Sequence, residues 1–479
     1  MKNRSFLNPY QKEYGSVVNA STDLSLNILV SYIYPDVNTR ERIVKILEDI
    51  CLDKETIYFR QELVKEFLVN KSLYHLIQTE IKNIEKCYSQ YNATKAQRSK
   101  IKVKNEITIT DSQMQMRDYG FCLKNLIGII GRLVNILFEN KVTSKGLIDL
   151  RNVLQRRNNS EGFLLLREFL EELEESGGSY SFVARISDTL TFEDIKYYFP
   201  EKKEDKEKFR LFKKTKESGK LELDNGLKED NRRAILECYN KIAPKMEIIF
   251  ETLFSELEFL PREFLFFEFA YALYDLLSEK ADDFCFPEID DKIKYICAQD
   301  PYLIARYQKE EYEEKIFGND LSLFSNESAL VCGGNNTGKT VFLRTIGIYQ
   351  IFAQSGLFLP CKEAKTMIFN KIVTIFSGEE KDTNTGGRFE KEVIDIKDII
   401  ESVDSKSLVI INEIFQSTFA RDGENALFDI LEYFTCINVK WITVTHLLGL
   451  KNKINDFTGK VKGFATTGKE NNYQIVERN

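Results

Sequence analysis

Histidine is nearly missing from this chain: among 479 residues there are only His75 and His446. The nine cysteines form no Cys-x-x-Cys pair, so the ligand spacing of a zinc site is absent. Unpaired cysteines inside apolar runs, such as Cys122 and Cys332, read as small buried residues of a reducing compartment. Proline is scarce, with 8 residues, which favours a chain built largely from helices. There is no excess of positive charge. A formal net charge of -7 excludes a protein that coats nucleic acid indiscriminately, so any DNA contact must use local basic patches. Long apolar runs are also lacking. The stretch from Phe121 to Phe138 is interrupted by Lys124, Asn125, Arg132 and Asn135 and reads as too polar to span a bilayer. The opening MKNRSFLNPYQKEYG has no apolar core of a signal peptide. Together these absences lead to the expectation of a soluble, cytoplasmic protein with no membrane partner.

Hydrophobic residues make up 43% and charged residues 29%, enough for two or three domains with real cores. From Thr39 to about Tyr91 the spacing is helical, with Asn38 or Thr39 as one cap and Asp53 as the next, ahead of Phe59, Leu63 and Phe67. Residues 92–106 are basic and read as a solvated turn or loop. Helical spacing resumes near Asp118 and runs on to Leu173, ending at Gly177-Gly178. A lysine-rich stretch over 201–220 precedes another long helical segment from Arg232 to Ser278, aromatic-rich but charged enough to be a buried helix. Near Cys285-Phe286-Pro287 the style changes to short apolar strands alternating with helices. The expected architecture is α plus α/β: a helical region over 1–285 with an insertion at 181–230, then an α/β domain over 286–479.

The strongest local signal is the run from Ala329 to Thr340. A short apolar strand enters Gly333-Gly334-Asn335-Asn336-Thr337-Gly338-Lys339-Thr340, and a helix begins at once, with Val341 in its first turn. Glycines at both ends let the backbone fold round a phosphate with its N–H groups inward. Lys339 supplies a point charge, and the Thr340 hydroxyl can ligate Mg²⁺. Phe342, Ile346, Tyr349 and Phe352 suggest one side of the helix, and Gly356 is placed to stop it. Downstream, Ser407 to Ile411 is the Leu/Val/Ile run that a central parallel strand needs, and it ends in Asn412-Glu413. In a nucleotide-hydrolysing domain that strand end handles magnesium and water: Asn412 stands where aspartate is usual, and Glu413 is the natural general base. Trp441 to His446 is a further β-rich run, and His446 is placed to sense the terminal phosphate or its water. His75 reads as a surface or packing residue.

These stretches, in this order, resemble the ATPase of the MutS family of DNA mismatch-repair proteins. The family's Gly-Pro-Asn-Met-Gly-Gly-Lys-Ser loop is similar to residues 333–340, with Asn335 on the loop asparagine. Its Ile-Gly-x-x-x-Pro resembles Ser355 to Pro360, and its Asp-Glu-Ile-Gly-Arg-Gly-Thr-x-x-x-Asp-Gly resembles Asn412 to Gly423 without gaps. Its Ala-Thr-His resembles Val444-Thr-His446, and its His-Pro motif resembles Asp300-Pro-Tyr-Leu303. Phe317-Gly-Asn-Asp-Leu321 resembles the segment that packs near adenine. The resemblance covers residues 285–470 and extends more loosely over 20–280. It implies a P-loop ATPase of ABC type with ATP and Mg as cofactors, core and lever helices, a DNA clamp in the 181–230 insertion, and a homodimer formed through the ATPase domain. Within the insertion Lys208, Arg210, Lys213, Lys214 and Lys216 are candidate phosphate contacts, flanked by Phe209 and Phe212. Lys100, Lys102 and Lys104 form the next patch; the plainer reading of both is a solvated charged face.

Four departures from the family pattern matter. Asn412 replaces the magnesium-binding aspartate. Gly387-Arg388-Phe389-Glu-Lys-Glu392 stands where the family has Ser-Thr-Phe-x-x-Glu, leaving Arg388 or Thr385 as candidate substitutes for the serine. No mismatch-reading domain with a Phe-x-Glu wedge precedes the helical region, and Asn479 falls before a complete dimerisation tail. Two functions are therefore expected: an ATP-controlled DNA clamp, or a nucleotide-dependent interaction protein with little hydrolysis. A transporter or chromosome-organising ATPase fits less well, because neither a Leu-Ser-Gly-Gly-Gln signature nor sustained heptads are present.

Overall fold

The computed structural model describes residues 5–103, 109–175, 181–186, 192–198, 242–376, 385–415, 419–447, 449–457 and 459–478. The candidate DNA contacts Lys208, Arg210, Lys213, Lys214 and Lys216, with Phe209 and Phe212, lie outside the described residues, as do Lys104 and the side chains of Lys100, Lys102, Thr385 and Arg388.

The chain opens with strand β1 (Ser16–Val18) and helices α1 (Ala20–Asp23), α2 (Leu26–Ser31), α3 (Val37–Glu48) and α4 (Lys54–Val69). Asp53 caps α4 as its sequence predicts, accepting from Thr56 N at 2.8 Å. The cap of α3 is Asp36, accepting from Thr39 N at 2.8 Å, and not Asn38 or Thr39. A carboxylate at that position satisfies an orphan amide and also meets the positive end of the helix. Replacing Asp53 by Ala is expected to lower the free energy of unfolding by about 1 kcal/mol, measurable as a shift of the urea midpoint.

Two compact units emerge from the packing, one made of residues 71–262 and the other of residues 5–70 with 263–479. The first is helical: α5 (Lys71–Val103), α6 (Ile109–Glu139), α7 (Lys145–Asn158), α8 (Glu161–Glu175) and α9 (242–254), with an antiparallel pair β2 (Ser181–Ile186) and β3 (Phe192–Tyr198). Residues 92–103, expected as a loop, continue α5. Alanine, glutamine, lysine and arginine are good helix formers, and Tyr91 and Thr94 are buried, so the basic run is one face of a helix rather than a break. Met114–Glu139 is, by length and composition, long and apolar enough to cross a membrane, contrary to the reading of Phe121–Phe138 as too polar. Half of that stretch is buried, and α6 packs on α5, α7 and α8. Two of its charges are paired: Arg132 makes a fork of hydrogen bonds at 2.8 and 2.9 Å to buried Glu80, and Lys124 meets Glu174.

The second unit holds α10 (Phe259–Leu277, from Glu263 onward), β4 (Glu288–Ile289), β5 (Lys292–Ala298), α11 (Pro301–Lys309), β6 (Asn319–Phe324), β7 (Glu327–Cys332), α12 (Lys339–Ser355), β8 (Glu363–Thr366) and β9 (Lys371–Phe376). It continues with α13 (Thr385–Ser402), β10 (Ser407–Asn412), α14 (Ala420–Cys436), β11 (Lys440–Thr445), β12 (Lys460–Thr466) and β13 (Ile475–Arg478). Seven strands form one sheet in the order β1-β9-β10-β11-β7-β12-β13, parallel except for the last pair. Strands β7 and β11 are buried along their whole length and β10 along all but its last residue, as strands covered on both faces must be. A smaller sheet, β4-β8-β5-β6, lies in the same unit.

Composition placed the domain boundary near residue 285, but residues 5–70 pack with the α/β portion. Strand β1 extends the large sheet beside β9. Buried Arg60 donates to Leu7 O at 2.7 Å and to Ser355 O at 3.2 Å at the C-terminal end of α12, where a cation meets the negative end of a helix. Gln354 of α12 donates to Cys51 O at 2.9 Å. None of these contacts has a local sequence signal.

Candidate functional site

The site is built at the C-terminal ends of parallel strands β7, β10 and β11. Strand β7 runs into residues 333–338, and α12 starts at Lys339. The loop needs both of its terminal glycines. A Cβ on Gly333 would fall 1.9 Å from Thr466 Oγ1, and Gly338, with φ of 87°, occupies the left-handed region while Tyr473 closes on its open side. Asn336 is also left-handed, with φ of 59°, which asparagine tolerates better than most residues. Gly334, Asn335 and Asn336 are exposed at the tip, Thr337 and Val341 are half-buried, and Gly356 ends α12 with φ of 84° as its sequence predicts. Beyond its first turns α12 is buried all round, so Phe342, Ile346, Tyr349 and Phe352 do not mark a single face as expected. The helix lies inside the unit, not on its surface.

Lys339 is 4% exposed. Its Nζ donates to Gly333 O at 3.0 Å and Gly334 O at 2.7 Å and pairs with Glu413 Oε1 at 3.0 Å. Its ammonium is thus held within the curl of its own loop, facing the end of β10, which β11 separates from β7 in the sheet. Thr340 Oγ1 lies 3.4 Å from Asn412 Oδ1, bringing together the two residues expected at the metal. Glu413 follows β10 in a left-handed conformation, φ 51°, with its N–H fixed to Val444 O at 3.0 Å. A non-glycine residue there is uncommon, and it turns the chain so that the carboxylate reaches Lys339. Phe415, two residues on, is left-handed as well at φ 62° and buried, where the similar motif has glycine.

His446 directly follows β11 and is half-buried; its Nδ1 is buried and has no hydrogen-bond partner among the described residues. Phe317, 39% exposed, precedes two residues laced to the C-terminal hairpin: Gly318 O accepts from Gln474 Nε2 at 3.1 Å, and Asn319 Oδ1 accepts from Ile475 N at 2.7 Å. Asp300 caps α11 through Leu303 N at 3.0 Å and pairs with Arg344 of α12 at 2.7 Å.

Sequence reasoning missed the hairpin's share of this site. Thr466, at the end of β12, donates its hydroxyl to Thr337 Oγ1 at 2.7 Å, and Thr337 in turn donates to Gly334 O at 2.8 Å. Tyr473 stands against Gly338 from the same hairpin. A β-rich run at 460–466 announces a strand, but nothing in it announces a partner more than a hundred residues upstream.

The site thus lies in a mixed α/β domain, with a glycine-rich loop between a buried parallel strand and a helix and a carboxylate at the end of β10. Residues 329–478 match the family MutS domain V. The chain is similar to that family over those residues. It is 33% identical over 140 residues to the Endonuclease MutS2 of Lactobacillus helveticus (strain DPC 4571), a stretch covering 29% of this chain and 18% of the relative. It is 29% identical over 166 residues to the DNA mismatch repair protein MutS of Prochlorococcus marinus (strain MIT 9312), covering 34% and 18%. With the DNA mismatch repair protein MutS of Clostridium tetani (strain Massachusetts / E88) the identity is 33% over 159 residues, covering 32% and 17%. The matched stretch is thus under a fifth of each relative's length.

Proposed function

We propose that this chain is a MutS-like P-loop ATPase that binds DNA, mismatched or branched, as an ATP-controlled clamp in repair or recombination. The observation that carries the reading is the junction of Lys339, Glu413, Thr340 and Asn412 at the ends of β7 and β10, inside the stretch that matches MutS domain V. Residues Gly333 to Val341 would cradle the phosphates and Phe317 would flank the base. Lys339 would neutralise the terminal phosphates, and Glu413 would take a proton from the attacking water. His446 would hold that water or sense the phosphate. Thr340 and Asn412 offer oxygen donors suited to Mg²⁺, which supplies charge neutralisation when bound. In this reading the helical unit of residues 71–262 supplies lever and clamp, the unit of residues 5–70 with 263–479 supplies the ATPase, and the working form is a cytoplasmic homodimer joined through the ATPase domains.

One observation favours a second reading, a nucleotide-dependent adaptor with little hydrolysis: the amide of Asn412 stands where the metal would meet a carboxylate. Steady-state ATP hydrolysis by wild type and Lys339→Ala, without DNA and with matched, mismatched and branched duplexes, separates the two. Turnover that needs Lys339 and responds to DNA supports the clamp; tight ATP binding without turnover under any condition supports the adaptor.

Thr466 tests the hairpin's part in the site. Thr466→Val keeps the shape and removes the hydroxyl that holds Thr337, a loss of about 1 kcal/mol. Half-saturation by ATP is expected to rise about 5-fold with kcat little changed, and Thr466→Ser is expected to restore it. Equal behaviour of the Val and wild-type proteins in a titration with labelled ATP would remove Thr466 from the site.

A further inference from the structure

Cys285 and Cys361 lie far apart in sequence, yet their sulfurs are 3.3 Å apart. The main chain fixes the approach. Cys285 and Leu359 form an antiparallel bridge, Cys285 N donating to Leu359 O at 3.0 Å and Leu359 N to Cys285 O at 2.8 Å. Cys361 N then turns back on Leu359 O at 2.9 Å, which returns its side chain to Cys285. The turn is anchored from behind by Tyr349 of α12, whose hydroxyl lies 2.7 Å from Pro360 O and 3.0 Å from Gln299 O. The two thiols differ in access: Cys285 is half-buried, whereas Cys361 is 1% exposed.

We propose that Cys285 and Cys361 form a thiol-oxidation site, in which Cys285 attacks a small disulfide of the glutathione class and Cys361 resolves the product to an intramolecular bond. Cys285 Sγ, as thiolate, attacks one sulfur of the oxidant; a mixed disulfide forms and one glutathione leaves as thiolate. Cys361 then gives up its proton and attacks Cys285 Sγ, the mixed disulfide breaks, and the second glutathione thiolate leaves. Two protein thiols are oxidised, and one glutathione disulfide is reduced to two glutathione molecules. The division of labour follows from the pair itself. The hydrogen bond from Cys361 lowers the Cys285 pKa despite burial, while the same bond and its own burial raise that of Cys361. Closing from contact to a covalent length of ~2.05 Å asks for about 1.3 Å of approach between sulfurs already facing each other. The bond would tie the segment before β4 to the turn that follows α12.

The full chain, incubated with oxidised glutathione under native conditions, then alkylated and digested without reduction, tests this. The expected product is one cross-linked peptide pair joining Cys285 to Cys361, reversed by dithiothreitol, with the thermal midpoint raised by roughly 5 °C. Cys361→Ser is expected to stop at a mixed disulfide between Cys285 and one glutathione. Cys285→Ser is expected to leave Cys361 as a free thiol under the same treatment, so the assignment survives even if the buried substitution prevents folding. Cross-links joining other cysteines would overturn it, the exposed Cys297 and Cys436 being the obvious competitors. So would a Cys285 that is alkylated equally before and after treatment.

Discussion

Glu413→Gln is expected to lower kcat for ATP hydrolysis about 10²–10⁴-fold while leaving ATP bound. The carboxylate stands at the end of β10, turned by a left-handed backbone to lie 3.0 Å from Lys339 Nζ, which places it against the phosphates the loop would hold. Glutamine keeps the length and one acceptor oxygen for Lys339 but cannot accept a proton from water. Alanine would be a poorer test, because stripping the partner from a lysine whose side chain is 3% exposed leaves an underpaired buried charge and a stability loss mixed into the rate. The substitution has a second consequence. Glu413 shares Lys339 with the carbonyls of Gly333 and Gly334, so a phosphate must compete with a carboxylate for the ammonium. Removing the negative charge is expected to tighten ATP binding about 3-fold, read by equilibrium titration beside single-turnover hydrolysis. A slower rate with unchanged or tighter binding identifies the base. A rate equal to wild type would move the base elsewhere, with His446 the nearest alternative in the sequence argument.

The parts of this site that were legible in the sequence are those in which one short segment carries its own reason. Residues 333–340 turn sharply between β7 and α12, and glycine suits Gly333 and Gly338 for local steric reasons, so the motif announces the loop. The Leu/Val/Ile run of β10 must be covered on both faces, so its central place in the sheet could be anticipated along with the polar residues at its end. Asp53 and Gly356 announce helix ends because capping is a matter of a few neighbouring atoms. What could not be read depends on pairing between distant segments. Nothing in Thr466 distinguishes it from a surface threonine until β12 pairs with β7 and brings its hydroxyl to Thr337. Nothing in Arg60 shows that its guanidinium closes the far end of α12. The boundary near 285 followed a change in composition, whereas packing follows contact: α4 buries its apolar residues in the α/β unit and β1 pairs with β9 of its sheet. Residues 92–103 were misjudged for a related reason: charge density marks solvent exposure, and an exposed helical face is as charged as a loop.

Asn412→Asp is the complementary change, expected to raise kcat rather than lower it. Asn412 Oδ1 lies 3.4 Å from the Thr340 hydroxyl, so the position is one donor of a pair already assembled for a hard cation. An amide oxygen can orient a metal-bound water but adds no charge, and a carboxylate of the same shape would favour Mg²⁺ over water more strongly. The expected gain is about 10–100-fold in magnesium affinity, with kcat rising by as much where metal occupancy limits turnover. The new charge would sit next to Glu413, and two adjacent carboxylates repel. Magnesium offsets that repulsion when it binds, so the substituted protein should be less stable than wild type in chelator and at least as stable in excess Mg²⁺. Thermal unfolding with and without EDTA reads the stability term, and a magnesium titration of the ATPase reads the catalytic one. A steeper response to magnesium with a higher plateau would mean that Asn412 sets the slow rate of a working ATPase and that the clamp reading holds. An unchanged plateau near zero would mean that the defect lies beyond the metal. The remaining departure from the family pattern is then Gly387-Arg388 in place of the Ser-Thr pair, and a partner-dependent, weakly hydrolysing adaptor becomes the better description of the chain.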